Sequence, residues 1–195
     1  MTPEARREEI IEITQAAIAR DGYRALSLRE IARRCGMSAP GLMHHFPDMP
    51  TLLEAVIEHR DEADLSQVLD SLGADTTLVQ MMDRAREYYD SRPEETRNFD
   101  ILEAEALDPT HPAHAYYRER NERTFQRLRA QIEREFADAD AVARVVRLIL
   151  DGVVLRRLRS PNNPTVSAED WAAVRDTFLA RQTRIASGDP ANPGE

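Results

Sequence analysis

Apolar residues recur along most of the chain at steps of three and four positions, the spacing that places side chains on one face of an α-helix. No stretch of useful length alternates apolar and polar residues with the period of two that is typical of β-strands. The pattern therefore predicts an all-α fold of about nine helices. The predicted helices cover residues 3–21, 28–35, 39–46, 49–72, 78–91, 96–107, 113–137, 138–158 and 167–185.

Two short predicted helices follow one another closely in the N-terminal part of the chain. Ser27 stands three residues before Glu30, the capping-box spacing in which each side chain binds the other residue's backbone amide. Gly36 can end this helix, because glycine adopts a positive φ without a Cβ clash. Ser38 can then cap the second helix, whose first turn tolerates Pro40. The arrangement predicts a helix-turn-helix, although a helical hairpin in an ordinary all-α core has the same local pattern.

The second helix of this motif has a buried side and an open side. Leu42 and Phe46, four residues apart, would hold it on the first helix. Small residues at positions 39 and 41 would let the N-terminus of the helix approach base edges and phosphates closely. The open side carries Ser38, Ala39, Gly41, Met43, His44 and His45.

These residues resemble the DNA-binding domain of the tetracycline-repressor-like (TetR) family of bacterial transcriptional regulators. The resemblance covers residues 10–53 and is strongest over residues 28–46. Met43 and Met49 depart from the family pattern, which commonly has a tyrosine and a lysine there, both often phosphate contacts. The resemblance rests on Gly22, Ser27-Leu28-Arg29-Glu30-Ile31-Ala32, Gly36-Met37-Ser38, Leu42 and His44-His45-Phe46.

The resemblance implies a homodimeric repressor that a small-molecule effector releases from a palindromic DNA operator. It implies a helix-turn-helix DNA-binding domain over residues 1–47 and a helical effector-binding and dimerisation domain over residues 48–187. The composition of residues 188–195 predicts a disordered tail. Arg29 is the side chain expected to contact a base or a phosphate. The full DNA-binding set carried over is Ser27, Arg29, Ser38, Ala39, Pro40, Gly41, Met43, His44 and His45.

The same resemblance implies two functional regions in the rest of the chain. The last two helices would form a four-helix bundle across a twofold axis, with Val146, Ile149, Gly152, Val153, Trp171, Val174 and Phe178 at the interface. An effector cavity would lie in the middle of this domain, and the lining predicted for it is Met81, Met82, Tyr88, Tyr89, Phe99, Leu102, Tyr116 and Tyr117. Plain core packing is the alternative for each lining residue.

Charge is distributed unevenly along the 195 residues, whose formal net charge is -9. Arginines at positions 20, 24, 29, 33 and 34 concentrate positive charge near the motif, while the acidic excess falls in the remainder. The charged stretch 54–64 is expected to be a solvated helix face. The sequence has no lysine, so every side-chain cation except histidine is a guanidinium, which can bind phosphate or guanine bidentately.

The sequence predicts a cytoplasmic protein, because it contains no apolar run near the roughly 20 residues that span a membrane. Cys35, the single cysteine, is expected to be a small core residue. No cofactor, metal or enzymatic activity is expected, since phosphate-binding glycine loops and metal-ligand motifs are missing from the sequence.

Two alternative functions remain open at the level of the sequence. The first is an all-α metal-binding protein or enzyme that uses Glu103, Glu105, Asp108, His111 and His114, although two prolines interrupt the helical spacing of these residues. The second is a DNA-binding dimer that has no small-molecule effector.

Overall fold

The computed structural model describes residues 2–69, 76–160 and 166–182. Within these ranges the chain is helical and contains no β-strand, which confirms the all-α prediction. The nine helices found there are α1 (Pro3–Asp21), α2 (Leu28–Arg34), α3 (Ala39–His45), α4 (Met49–Leu69), α5 (Leu78–Asp90), α6 (Pro93–Glu105), α7 (His114–Glu135), α8 (Ala139–Arg159) and α9 (Val166–Thr177). Short 3-10 turns lie at Tyr23–Ala25 and Leu179–Arg181.

One helix start differs from its prediction by more than one residue. Helix α6 begins at Pro93, three residues before the predicted position, because proline fits the first turn of a helix, where the backbone amides have no intrahelical partner. The predicted helix ends at residues 72 and 185 and the predicted disordered tail at residues 188–195 lie outside the described residues, as do residues 73–75 of the break predicted at 73–77.

Polar side chains fix several of the helix starts. Thr2 accepts a hydrogen bond from the Ala5 amide at 3.2 Å, and Asp48 accepts one from the Thr51 amide at 2.8 Å. At α5 the capping box is complete, since Thr77 and Gln80 each bind the other residue's backbone amide.

The first of two apolar clusters joins the N-terminal helices to the rest of the chain. It contains buried side chains of α1, α2, α3, α4 and α6 and reaches Tyr117 in α7. Helix α6 packs directly on α1, where the Asn98 amide Nδ2 donates to the Ala19 carbonyl oxygen at 2.7 Å. The helix-turn-helix therefore shares its core with the body.

The second apolar cluster lies among α5, α7, α8 and α9. Its fully buried members include Leu78, Ile132, Phe136 and Val142. Trp171 brings α9 into this cluster, and its indole Nε1 donates to Asp83 in α5. No described helix is long and apolar enough to cross a membrane.

Two bidentate ion pairs connect the helices of the body. Arg120 in α7 donates to both carboxylate oxygens of Asp61 in α4, each at 2.8 Å. Arg157 in α8 donates to both carboxylate oxygens of Asp100 in α6, at 2.8 and 3.1 Å. Parallel paired hydrogen bonds of this kind restrict the relative orientation of the helices as well as their distance.

Candidate DNA-binding surface and effector cavity

The turn between α2 and α3 has the expected geometry. The Ser27 hydroxyl caps α2 by accepting from the Glu30 amide at 3.3 Å, and the Ser38 hydroxyl caps α3 by accepting from the Gly41 amide at 3.2 Å. Gly36 has a φ of +65°, in the left-handed region that favours glycine. These caps and this turn set the crossing of the two short helices.

The predicted capping box at α2 is only half formed. The carboxylate of Glu30 binds Arg33 at 2.7 and 2.9 Å and Arg34 at 2.7 Å, instead of the Ser27 amide. Hydrogen bonds from these two guanidinium groups lower the pKa of Glu30 to about 2. Two charged donors at helical spacing therefore hold this carboxylate on the surface of α2.

Most arginines predicted to make a basic surface are paired with carboxylates of the chain. Arg20 and Arg34 both bind Asp21, and Arg24 lies 2.6 Å from Glu105. Arg29 is exposed, and no ion pair is found for it among residues 2–69, 76–160 and 166–182. The positive charge of the motif region is consequently much weaker than the sequence indicated, and Arg29 is the cation of α2 that remains available to a ligand.

Helix α3 presents the predicted open side to solvent. Met43 is 49% exposed and His44 is exposed, whereas Leu42 and Phe46 are fully buried beneath them. The rest of the predicted DNA-binding set, apart from Arg29, comprises exposed Ser27, Ser38 and Pro40 together with half-buried Ala39, Gly41 and His45. Met49 packs against the first apolar cluster, so its side chain has a role in the core.

Two arginines of α1 hold the ends of the motif helices. The Arg6 Nη2 group donates to the Cys35 carbonyl oxygen at 2.9 Å, where α2 ends. The Arg7 Nη1 group donates to the His45 carbonyl oxygen at 2.8 Å, and its guanidinium lies 4.0 Å from the centre of the Phe46 ring. Sequence spacing gave no signal for these contacts, because each joins residues that are far apart in the chain.

A two-lobed cavity lies between α4, α5, α6, α7 and α8. The larger lobe has a volume of about 650 Å³ and the smaller lobe a volume of about 290 Å³. The two lobes adjoin, because they share the side chains of Met82, Ala85, Tyr89, Arg120, Thr124, Leu128 and Leu150. Apolar and charged groups both line the cavity, which suits a partly polar organic molecule.

Five of the eight residues predicted to line an effector cavity do line this one. Met81, Met82, Tyr89 and Tyr116 line the larger lobe, and Phe99 lines the smaller lobe together with Met82 and Tyr89. Burial raises the pKa of Tyr116 to about 12, so its hydroxyl stays neutral near pH 7. Whether the cavity binds a ligand remains a prediction.

The other three predicted residues lie elsewhere. Leu102 and Tyr117 belong to the first apolar cluster, because the helical register turns them away from the cavity toward α1 and α4. Tyr88 donates its hydroxyl hydrogen to Asp64 at 2.6 Å. Burial and this hydrogen bond raise the pKa of Tyr88 to about 12.

Part of the charged stretch of α4 is buried, contrary to the solvated face predicted for it. Arg60 is 8% exposed and Asp64 is 6% exposed. The larger lobe has one wall of carboxylates from α4 and one of guanidinium groups from α7: Glu58, Asp61, Glu62 and Asp64 on one side, and Arg120, Arg123, Arg127 and Arg134 on the other. Sequence periodicity missed these positions, because charged residues at helical spacing are usually exposed.

Two of the residues predicted for the dimer interface are buried within the chain, and the others stay a prediction. Val146 and Trp171 are buried in the second apolar cluster, and Val174 and Phe178 pack against it. Ile149 and Val153 line the smaller lobe. The apolar side chains that α8 exposes are Leu148 and Leu155, at 70% and 46% exposure, and a Cβ on Gly152 would have no neighbour within 4 Å. The wide apolar arc of α8 therefore faces both the core and solvent.

The residues of the alternative metal site each have a protein partner. Glu103 accepts from Asn121 and lies 3.9 Å from Arg120, and Glu105 pairs with Arg24. Asp108 accepts from the Thr110 amide, His111 Nδ1 accepts from the Ala113 amide, and His114 Nδ1 lies 2.8 Å from the Ala106 carbonyl oxygen. In the part of the chain that the structure describes, no three such side chains are arranged to hold a metal ion.

Comparison with known proteins connects the motif to a family. Residues 10–56 match the model of bacterial regulatory proteins of the tetR family. This match covers α2, the Gly36 turn, α3 and the start of α4, together with the part of α1 that packs on them. The N-terminal part of the chain is therefore similar to the tetR family. The chain is also similar to the HTH-type transcriptional regulator BetI of Yersinia pestis (strain Pestoides F), with 40% identity over 62 residues.

The BetI match covers 30% of this chain and 31% of BetI. This chain therefore matches about a third of the length of that curated relative. The body is compared through solved structures of TetR-family and related regulators. A TetR regulator from Haloarcula marismortui superposes with a TM-score of 0.79 at 19% identity, over 92% of this chain and 100% of the other chain. A putative transcriptional regulator from Saccharomonospora viridis in complex with choline gives a TM-score of 0.72 at 19% identity, over 93% of this chain and 98% of the other. These similarities show that the body has the fold of such regulators.

Proposed function

We propose that this protein is a homodimeric DNA-binding transcriptional repressor that a small-molecule effector releases from its operator. The observation that carries the proposal is the motif that matches the tetR family, with an exposed α3 face and beside it an exposed Arg29 that forms no ion pair with the described residues. The DNA-binding domain comprises residues 1–47, and residues 48–187 bind the effector and the second subunit. A protein that binds chromosomal DNA in a bacterium acts in the cytoplasm.

Two copies of the motif are needed, because one helix of seven residues reads few base pairs. In a twofold dimer, two α3 helices about 34–36 Å apart would enter successive major grooves of a near-palindromic site. The exposed apolar side chains of α8 support a dimer in which this helix crosses its counterpart, with Gly152 allowing the backbones to approach.

The cavity supports regulation by a small molecule, because its wall includes α4, the helix that follows the motif directly. An effector weakens DNA binding only if it binds the DNA-free arrangement of the dimer more tightly, by about 1.4 kcal/mol for each tenfold loss of operator affinity. The choline complex of the related regulator supports a small organic effector for this fold.

The proposal is tested by fluorescence anisotropy with DNA from the region beside the protein's own gene and with scrambled DNA of equal length. We expect specific binding that saturates at two chains per site and weakens steeply as salt rises, because phosphate contacts release counterions. Arg29→Ala should lower operator affinity about tenfold or more while far-UV circular dichroism stays unchanged, in the range of a lost base contact.

Arg33→Ala is the matched control, because Arg33 lies on the same exposed helix but donates to Glu30. Its effect should be several times smaller than that of Arg29→Ala. Equal losses for the two variants would remove the specific role of Arg29. Binding of the wild-type protein no tighter to its own DNA than to the scrambled DNA would contradict the proposal for that operator.

A further inference from the structure

Two charged side chains of α4 are buried at the cavity without complete hydrogen bonding. The Nε atom of Arg60 and the Oδ2 atom of Asp64 have no hydrogen-bond partner among the described residues. More than nine-tenths of each side chain is buried. Leaving such atoms of a buried charged group without a hydrogen bond costs free energy. A site of this kind therefore favours a ligand that supplies the missing partners.

The neighbours of Arg60 and Asp64 do not complete these bonds. The Arg60 Nη2 atom lies 3.3 Å from Asp64 Oδ2, close enough for charge attraction but not aligned for a hydrogen bond. The Arg60 Nε atom lies 3.9 Å from Glu95, too far for a hydrogen bond. The guanidinium packs on Phe99, 4.1 Å from the ring centre, and the second oxygen of Asp64 already accepts from Tyr88.

The unsatisfied atoms are a donor and an acceptor on neighbouring turns of one helix. Residues four apart in an α-helix are displaced by about 6 Å along its axis and lie on the same face. Arg60 lines the smaller lobe of the cavity and Asp64 lines the larger lobe. Both unsatisfied atoms are shielded from solvent in the unliganded protein. A molecule lying where the lobes adjoin would therefore reach them by displacing the contact between Arg60 and Asp64.

The charged side chains of the two lobes indicate how this molecule is oriented in the cavity. The smaller lobe is lined by five arginines and three acidic residues. Four of these arginines, Arg86, Arg120, Arg147 and Arg157, pair with carboxylates of the chain, so a negative group is favoured beside Arg60, whose Nε atom is unsatisfied. In the larger lobe the wall formed by α4 is acidic, which favours a positive group beside Asp64. Apolar side chains, among them Met82, Leu128 and Leu150, line both lobes and suit an apolar substituent.

We infer that the effector is a small zwitterion of the α-amino-acid class with an apolar side chain. Its carboxylate accepts from Arg60 Nε, and its ammonium group donates to Asp64 Oδ2. This inference rests on the proposed function and specifies the ligand class for its cavity. Because both contacts are on α4, the ligand acts directly on the helix that joins the motif to the body.

The experiment uses the full chain and two readouts, thermal unfolding and operator binding. The probes are L-valine, L-leucine and L-phenylalanine, then the methyl ester and the deaminated acid of each, and choline. We expect at least one amino acid at 10 mM, roughly the scale of a weak site, to raise the melting temperature by several degrees and to weaken operator binding about tenfold. Its ester and its deaminated acid, which each lack one charge, should give less than a third of that shift.

Arg60→Gln and Asp64→Asn should each weaken amino-acid binding about tenfold or more, as expected when a charged partner is removed. Arg123→Gln is the matched control, because this guanidinium lines the larger lobe but is 54% exposed. It should bind the amino acid as the wild type does. If a variant unfolds, the comparison of amino acid, ester and acid on the wild-type protein still decides the question.

The inference is overturned if no amino acid shifts the melting temperature, or if an ester, a deaminated acid or choline binds as tightly as the amino acids. The unfolding readout does not depend on DNA. A protein that binds amino acids but no operator would therefore contradict the proposed function alone, while operator binding without an amino-acid response would contradict only the ligand class.

Discussion

Gly36 sets the angle between α2 and α3 through one backbone conformation, and its substitution should lower the free energy of unfolding. A Cβ at this position would meet nothing within 4 Å, so the penalty of Gly36→Ala comes from the positive φ and not from a clash. We expect a loss of about 1–2 kcal/mol in the free energy of unfolding, the cost of the left-handed region for an L-residue. Urea unfolding followed by circular dichroism measures it.

Gly36→Asn provides the control, because asparagine adopts the left-handed region more readily than alanine. It should lose clearly less stability than Gly36→Ala. Equal losses for the two variants would mean that the φ of Gly36 does not determine the effect.

At the residue scale, local signals were predictable from the sequence and distant contacts were not. Ser27, Gly36 and Ser38 act over three or four positions, so their spacing indicates their role. Arg6 and Arg7 bind backbone carbonyl groups 29 and 38 positions away, and no local pattern specifies such partners.

At the scale of a single helix, α2 contains ion pairs that are sensitive to acid. The pKa of Glu30 is about 2 in the folded protein, below its ordinary value of 4.5, because Arg33 and Arg34 donate to the carboxylate. A carboxylate whose pKa is lowered on folding stabilises the folded protein above about pH 4.5, and this stabilisation is lost as the pH falls toward about 2. Acid should therefore weaken α2, because it neutralises Glu30 while the guanidinium groups keep their charge.

Glu30→Gln should reduce the dependence of the melting temperature on pH between about 4.5 and 2, because the substituted side chain does not titrate. Melting curves recorded across this window by circular dichroism test the expectation. Glu12→Gln is the control, since Glu12 is exposed and forms no ion pair within the described residues. A variant with Glu30→Gln that keeps the full wild-type slope would rule out this contribution.

Helix positions followed from apolar periodicity, whereas the charged wall of the cavity did not. The positions of α1 and α4 were predictable because apolar side chains repeat along one face and capping residues precede them. Burial of Arg60 and Asp64 depends on α5 and α6 packing over α4, and the sequence of α4 alone contains no sign of that packing.

At the scale of the whole molecule, the exposed apolar side chains of α8 predict the oligomeric state. Leu148→Glu should convert a dimer to a monomer, because two like charges would be brought together where apolar contacts are proposed. Size-exclusion chromatography with light scattering measures the mass. Leu107→Glu is the control, since Leu107 is 78% exposed but lies after the end of α6 and not on α8.

A Leu148→Glu protein that stays dimeric would place the interface elsewhere. The sequence predicted that α8 has more apolar surface than one packed side requires, but it assigned Val146 and Trp171 to the interface instead of the core. Which side of an apolar helix meets the core depends on the neighbouring helices, so periodicity alone could not decide it.

Two adjacent residues of α6 limit where related chains can differ in length. Asn98 binds the Ala19 carbonyl oxygen of α1, and the next residue, Phe99, lines the cavity. One residue inserted between them would turn the two side chains by about a further 100° relative to each other. Related chains that retain both contacts should therefore differ in length before Pro93 or after Glu105, and not between positions 98 and 99.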